Sequence, residues 1–202
     1  VRDVAEMVQI TSVRQKVQLG LGHAVLCSKK VVNEDPFAVM VGDDLMFHPE
    51  PAIKQLMDVA RSEHMAVVGV VSVPREKVSS YGIIHAEEIG PYMYRVRDLQ
   101  EKPSSTEAAS RLAIVGRYVL TPEIFEHLEA LTPGPAGEIE LTDALRTMAR
   151  SNRLLAVKLR GQRFDIGDWV DYLTANIYFG MQDKELRSDL IQRLRELIPD
   201  QD

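Results

Sequence analysis

Cysteine is nearly missing from this 202-residue chain, since Cys27 stands alone. An internal disulfide is thereby excluded, and a reducing cytoplasm is the expected compartment. Long apolar runs are missing as well, and none approaches the ~20 residues that a membrane-spanning helix needs. The opening Val1-Arg2-Asp3-Val4-Ala5-Glu6 is charged and has no apolar stretch of the secretory kind. Positive charge is in deficit: 24 Lys and Arg face 30 Asp and Glu, a net charge of −6. That balance argues against a protein that wraps nucleic acid through its phosphates. No Cys/His spacing suits zinc. No G-x-S-x-G motif occurs and Cys27 falls inside a predicted helix, so nucleophilic catalysis has no support. Repeats, low-complexity stretches and linkers are also lacking.

What is present suffices for a folded core. Hydrophobic residues are 45% of the chain and charged residues 27%, which excludes a long disordered chain. The pattern predicts a strand at Met7–Val13, a helix at His23–Val32 after the Gly20-Leu21-Gly22 break, and a strand at Phe37–Val41. The last is a continuous apolar run, the mark of a strand covered on both faces. Pro51–His64 reads as a helix with Ile53, Leu56, Met57 and Ala60 on one face, and Ala66–Val71 as a second buried strand. This alternation argues for a parallel sheet with covering helices. Further along, Tyr81–Ala86 and Tyr92–Leu99 flank a turn at Glu88-Ile89-Gly90-Pro91, and Leu112–Leu120 is a strand. Thr121 is expected to cap a helix over Ile124–Leu131 with Pro122 in its first turn. A helix from Leu141 to Arg150, strands at Leu154–Leu159 and Arg163–Ile166, and a helix at Trp169–Gly180 follow. The expected organisation is one α/β domain over residues 1–182 and a helical tail over 183–202, with Leu186, Leu190, Leu194 and Leu197 at helical spacing.

In open α/β sheets, ligands bind beyond the carboxyl ends of strands. Gly42-Asp43-Asp44 follows one apolar run, and Phe164-Asp165-Ile166-Gly167-Asp168 lies beyond another. Two such carboxylates at one rim suit Mg²⁺, which takes one or two carboxylates together with phosphate oxygens. Helix capping is the competing use, and it is the expected one for Asp44 and Asp168. Gly20-Leu21-Gly22-His23 is a glycine-rich turn into a helix, where backbone amides favour anions; a plain loop and a packed His23 are the alternatives. Lys102, in Glu101-Lys102-Pro103, could neutralise a phosphate or simply face solvent. Glu138 could hold sugar hydroxyls or sit at a helix start. Tyr81-Gly82 could bring a backbone amide to a ligand or form a turn.

Taken in order, these segments are more specific than any one of them. Val13-Arg14-Gln15, Leu19-Gly20-Leu21-Gly22-His23-Ala24-Val25, Gly42-Asp43-Asp44-Leu45, Tyr81-Gly82-Ile83, Glu101-Lys102-Pro103, Val115–Pro122, Gly137–Asp143 and Phe164-Asp165-Ile166-Gly167 closely resemble the bacterial UTP–glucose-1-phosphate uridylyltransferases. The resemblance implies a Rossmann-like α/β fold: a mixed, mainly parallel sheet with helices on both faces. It implies Mg²⁺-dependent transfer of UMP from UTP to glucose-1-phosphate, giving UDP-glucose and pyrophosphate. Gln15 and the Gly20 backbone would read the uracil. Asp43 and Asp165 would hold Mg²⁺. Gly82 and Glu101, with Glu138 as a further candidate, would bind glucose hydroxyls. Lys102 would bind the sugar phosphate. A homo-oligomer, and neither nucleic acid nor membrane, is the expected partner set.

Members of that family begin with a strand and a G-x-G-T-R loop that wraps the triphosphate. No such motif occurs here, so the chain is expected to start after the first βα units and to lack part of a nucleotide site. Family members also usually carry Pro where this chain has Gly42. Three readings therefore stand: a uridylyltransferase, a binding module that retains sugar-phosphate recognition without transfer, and an assembly piece completed by a second chain.

Overall fold

The computed structural model describes residues 6–32, 35–134 and 136–197. Its centre is β3 (Ala66–Ser72), in which Ala66, Val67, Val68 and Val70 have no exposed surface. A run this uniformly β-branched needs cover on both faces and both edges, and it has all four. On one edge β6 (Leu112–Leu120) pairs with it antiparallel, with Val67 opposite Val119. On the other, β7 (Leu154–Lys158) pairs with it parallel, with Val67 opposite Leu155. Above one face lie α1 (Gly20–Cys27), α3 (Glu123–Ala130) and α4 (Leu141–Arg150). On the other lies α2 (Ala52–Glu63), which buries Ala52, Leu56 and Ala60 against Val67, Val115 and Leu155.

The six strands run in the order β1-β6-β3-β7-β5-β4, where β1 is Phe37–Met40, β4 is Gly82–Gly90 and β5 is Met93–Glu101. β1, β3, β7 and β4 all point the same way. β6 and β5 are interleaved between them and point the opposite way, so β3–β7 is the one parallel pairing among the described strands. The mixed sheet with helices on both faces is as expected; four of its six strands share one direction, but the pairings are mainly antiparallel rather than mainly parallel. Apolar patterning reports which faces are covered and carries no information on neighbour direction. A second, two-stranded sheet joins β2 (Asp44–Phe47) to β8 (Gln162–Asp165).

Several expected elements shift. Met7–Val13 forms no strand; Met7 and Ile10 are 79% and 75% exposed. An apolar run becomes a strand only beside a ladder partner, and no described strand lies along it. Phe37–Val41 does form a strand, but at the end of the sheet. There Phe37 and Val39 turn inward while Ala38 and Met40 face out, so it is not covered on both faces. The helix expected at His23–Val32 starts earlier, at Gly20, and ends at Ser28, whose hydroxyl donates to the Val25 carbonyl at 2.7 Å. Thr121 contributes no side-chain cap to α3; its backbone carbonyl accepts from Ile124 N instead. The leucine stripe lies on α6 (Arg187–Leu197) and in the turn before it. Leu190 rests on Gly180 of α5 (Trp169–Gln182), while Leu186 and Leu197 stay exposed. The end of the expected helical tail, 198–202, is outside the described residues.

α4 is the most regular element. Leu141, Ala144, Leu145, Met148 and Ala149 repeat at 3, 4, 7 and 8 residues and are all buried, the stripe that a helix needs to lie on a sheet. Its outer edge is tied to β5 by Arg146, whose guanidinium donates to both Asp98 oxygens at 2.7 and 3.1 Å. That hydrogen bond from Arg146 is the main cause holding the Asp98 pKa down at about 2. A carboxylate depressed on folding stabilises the fold above its unfolded pKa and loses the contribution as pH falls through the folded value. We expect Asp98→Asn to lower stability by about 0.5–1 kcal/mol at neutral pH. Urea titrations from pH 5 downward should find the gap to the unsubstituted chain closing between pH ~4 and ~2.

Candidate active site

β1 ends at Met40, and Val41 N then donates to Gly116 O of β6 at 2.9 Å. Gly42 follows, and the chain turns into β2 with Asp43 on the corner. β2 pairs with β8 so that Asp44 stands opposite Asp165, while Ile166 N donates to Asp43 O at 2.8 Å. Three carboxylates are therefore gathered at one corner. A Cβ placed on Gly167 would lie 3.3 Å from Asp165 Oδ1 and 3.7 Å from Asp43 Oδ2, so both oxygens face the space beside Gly167.

Asp44 is not a helix cap. It is buried, accepting from Gly116 N at 2.6 Å and from Arg163 Nε at 2.9 Å. The capping role expected for Asp168 is observed, since its Oδ1 accepts from Val170 N and Asp171 N at the start of α5.

The second wall comes from the β4–β5 hairpin. Gly82 opens β4 directly across from Glu101, the last residue of β5. Lys102 follows with a left-handed backbone, φ 43°, and its N–H donates to Tyr81 O at 3.1 Å. Its ammonium lies 3.6 Å from a Glu101 oxygen and is largely exposed. The third wall is the segment before α4, pinned to α1 by backbone bonds: Ile139 N donates to Leu19 O at 2.8 Å, and Gly22 N to Ile139 O at 2.9 Å. This crossing lays Glu138 beside Gly20.

Asp43, Asp165, Gly82, Glu101, Lys102 and Glu138 all line one open cleft of about 400 Å³. Gln15 and Gly20 are not in its lining. Gln15 instead donates its side-chain amide to Gly20 O at 3.1 Å and meets His23 Nδ1 at 2.9 Å, so His23 is a packed residue and not a cleft group. The structure adds groups that the motifs did not single out: Arg163, the Tyr81 hydroxyl, Tyr118, Glu140 and Thr142. Burial, followed by the charge of Glu101, raises the Glu140 pKa. Burial, followed by the Asp44 charge, keeps the Tyr118 phenol protonated at all ordinary pH.

The cleft holds six carboxylates (Asp43, Asp44, Glu101, Glu138, Glu140, Asp165) against Lys102 and Arg163. A lining so acidic repels phosphates unless a cation intervenes. The donor set suits Mg²⁺: Asp43 and Asp165 offer hard oxygens at one corner, and this cation is usually bound by one or two carboxylates together with water and phosphate oxygens.

The nucleotidyl transferase family pattern matches residues 2–180. The chain belongs to that family. A UTP–glucose-1-phosphate uridylyltransferase of Bacillus subtilis, YngB, is 45% identical to this nucleotidyl transferase chain over 197 residues, covering 98% of it and 66% of YngB. Another from the same organism is 40% identical, covering 98% of this chain and 68% of that protein. The chain thus spans about two thirds of the length of the curated relatives it matches. Among solved structures, a UDP-glucose pyrophosphorylase complexed with UDP-glucose matches with TM-score 0.84 and 40% identity, covering 88% of this chain and 69% of that one. A UTP-bound UGPase from Acinetobacter baumannii matches with TM-score 0.85 and 36% identity, covering 96% and 67%.

The crossing at Gly22 is the site's most easily tested support. A Cβ there would lie 2.5 Å from the Ile139 carbonyl oxygen, a backbone atom that cannot turn aside. We expect Gly22→Ala to cost about 1–3 kcal/mol, read by calorimetry as a fall in Tm of roughly 2–4 °C per kcal/mol.

Proposed function

We propose that this chain carries the sugar-phosphate subsite and the metal carboxylates of a UTP–glucose-1-phosphate uridylyltransferase. One observation carries the reading: Asp43 and Asp165 converge across Gly167 in the same cleft that Gly82, Glu101 and Lys102 line. The named activity of the relatives agrees with it.

In this reading Lys102 holds the phosphate of glucose-1-phosphate as a compact point charge. Glu101 and Glu138 accept from glucose hydroxyls. Gly82 leaves room for the ring, because a Cβ there would meet Thr142 Oγ1 at 3.1 Å and Glu101 Oε2 at 3.3 Å. Gln15 and the Gly20 backbone, which lie outside the cleft lining with Gly20 beside Glu138, are the candidates to read the uracil edge. A phosphate oxygen of the sugar attacks the α-phosphorus of UTP in line. The new P–O bond forms as the bond to the bridging oxygen breaks, and pyrophosphate departs with that electron pair. The attacking oxygen is already anionic, so no general base is needed; positioning and charge neutralisation suffice. When bound, Mg²⁺ would be held by Asp43 and Asp165 and would neutralise phosphate charge.

The test supplies the full chain with UTP, glucose-1-phosphate and Mg²⁺ and measures pyrophosphate, alongside calorimetry with UDP-glucose. Asp43→Asn should reduce turnover by about 10²–10³-fold, and Lys102→Met should raise KM for glucose-1-phosphate. Heat with UDP-glucose but no pyrophosphate would leave a binding module. Absence of both pyrophosphate and heat would sink the proposal.

A further inference from the structure

We propose that Arg163 is the positioning residue of the carboxylate pair: it holds Asp165 in the orientation that leaves one oxygen facing Asp43. The inference rests on the reading of Asp43 and Asp165 as metal carboxylates, and it concerns a residue that neither of those motifs contains.

The β2–β8 register sets Asp44 directly opposite Asp165. Like charges facing across a ladder repel, and Asp44 is sealed from water, where an uncompensated charge is costlier still. Side chains two apart on a strand share a face, so Arg163 stands on the same side as Asp165 and Asp44. Its guanidinium spans the gap. Nε donates to Asp44 Oδ1 at 2.9 Å, one terminal nitrogen donates to the Tyr81 hydroxyl at 3.2 Å, and the other donates to Asp165 Oδ2 at 3.2 Å. The Tyr81 hydroxyl in turn donates to that same Asp165 Oδ2 at 3.1 Å.

Two donors therefore grip one Asp165 oxygen. The other, Oδ1, accepts no hydrogen bond from a described residue and lies on the Gly167 side with Asp43 Oδ2. The grip has a rigid anchor. Asp44 fixes the near end of Arg163 and is itself fixed by the backbone N–H of Gly116, inside β6. The chain of contacts thus runs from the main sheet through Asp44 and Arg163 to Asp165. A planar fork can serve three acceptors in fixed directions; an ammonium on a flexible stem cannot. The guanidinium side chain is 16% exposed, so water is a poor substitute. Groups that orient ligating carboxylates in this way typically change metal affinity 10–100-fold when lost.

The experiment titrates the full chain with Mn²⁺ alone, followed by electron paramagnetic resonance, and determines metal-free crystal structures. Asp165→Asn is measured first: unchanged Mn²⁺ binding overturns the carboxylate-pair reading itself. Arg163→Lys keeps a cation beside Asp44 but loses the fork. It should weaken Mn²⁺ binding about 10–100-fold, add nothing further in the Asp165→Asn background, and let Asp165 turn away in the metal-free crystal. Tyr81→Phe, which removes one of the two donors, should weaken binding several-fold. Full Mn²⁺ affinity in Arg163→Lys with Asp165 unmoved overturns the inference, as does full affinity in Tyr81→Phe if the lysine variant does not fold.

Discussion

The buried carboxylate of Asp44 is the interaction on which the rest of the site depends. It sits where β2 leaves the main sheet, and its two oxygens are used in different directions. One takes the backbone N–H of Gly116 and so reads the position of β6. The other takes Arg163 and so reads the position of β8. Arg117 adds donors to the carbonyls of Val41 and Asp44 from the same side. A small two-stranded sheet hung on a few residues would be marginal alone. This anchorage makes it an extension of the main sheet, and it gives Asp43 and Asp165 fixed places at the rim. The stabilisation comes at the cost of burying charge, so the network is tolerant of no missing member.

Much of the scaffold was legible in the residues. The 3, 4, 7, 8 spacing in Leu141–Arg150 and the apolar run Leu112–Leu120 name their elements to the residue, because local periodicity and local burial coincide there. Ordered motifs likewise led to Asp43, Gly82, Glu101, Lys102, Glu138 and Asp165, which share one cleft. What escaped was whatever depends on a distant neighbour. Phe37–Val41 has the composition of an interior strand yet lies at the end of the sheet. Met7–Val13 has the composition of a strand yet has no described neighbour to pair with. Asp44 looked like a cap because Asp beside Gly so often is one; its burial is decided by Arg163. Arg163 itself is one cation among 24, and its only local signal was standing two residues before an aspartate on a short strand.

The interleaving of β6 has a wider effect on the architecture. Four strands that point the same way would, in a purely parallel arrangement, each need a crossover helix to reach the next. Placing β6 between β1 and β3, and β5 between β7 and β4, gives these strands antiparallel contacts, while the chain still passes through α2 between β1 and β3. One of those contacts, the β4–β5 hairpin, is closed by a short turn. That hairpin carries Gly82 and Glu101 across from each other at its open end. Its position is what brings a sugar-facing wall to the same rim as the acidic corner, with Lys102 turning out of the strand through a left-handed backbone.

The pairing of β2 with β8 also sets a clock. Asp44 and Arg163 are 119 residues apart in the chain. At the ~10 residues per second of ordinary synthesis, roughly twelve seconds separate their emergence. Through that interval Asp44 has no counter-charge, and a lone carboxylate keeps its water rather than enter an apolar interior. The corner that carries Asp43 therefore needs β8 in place to complete it.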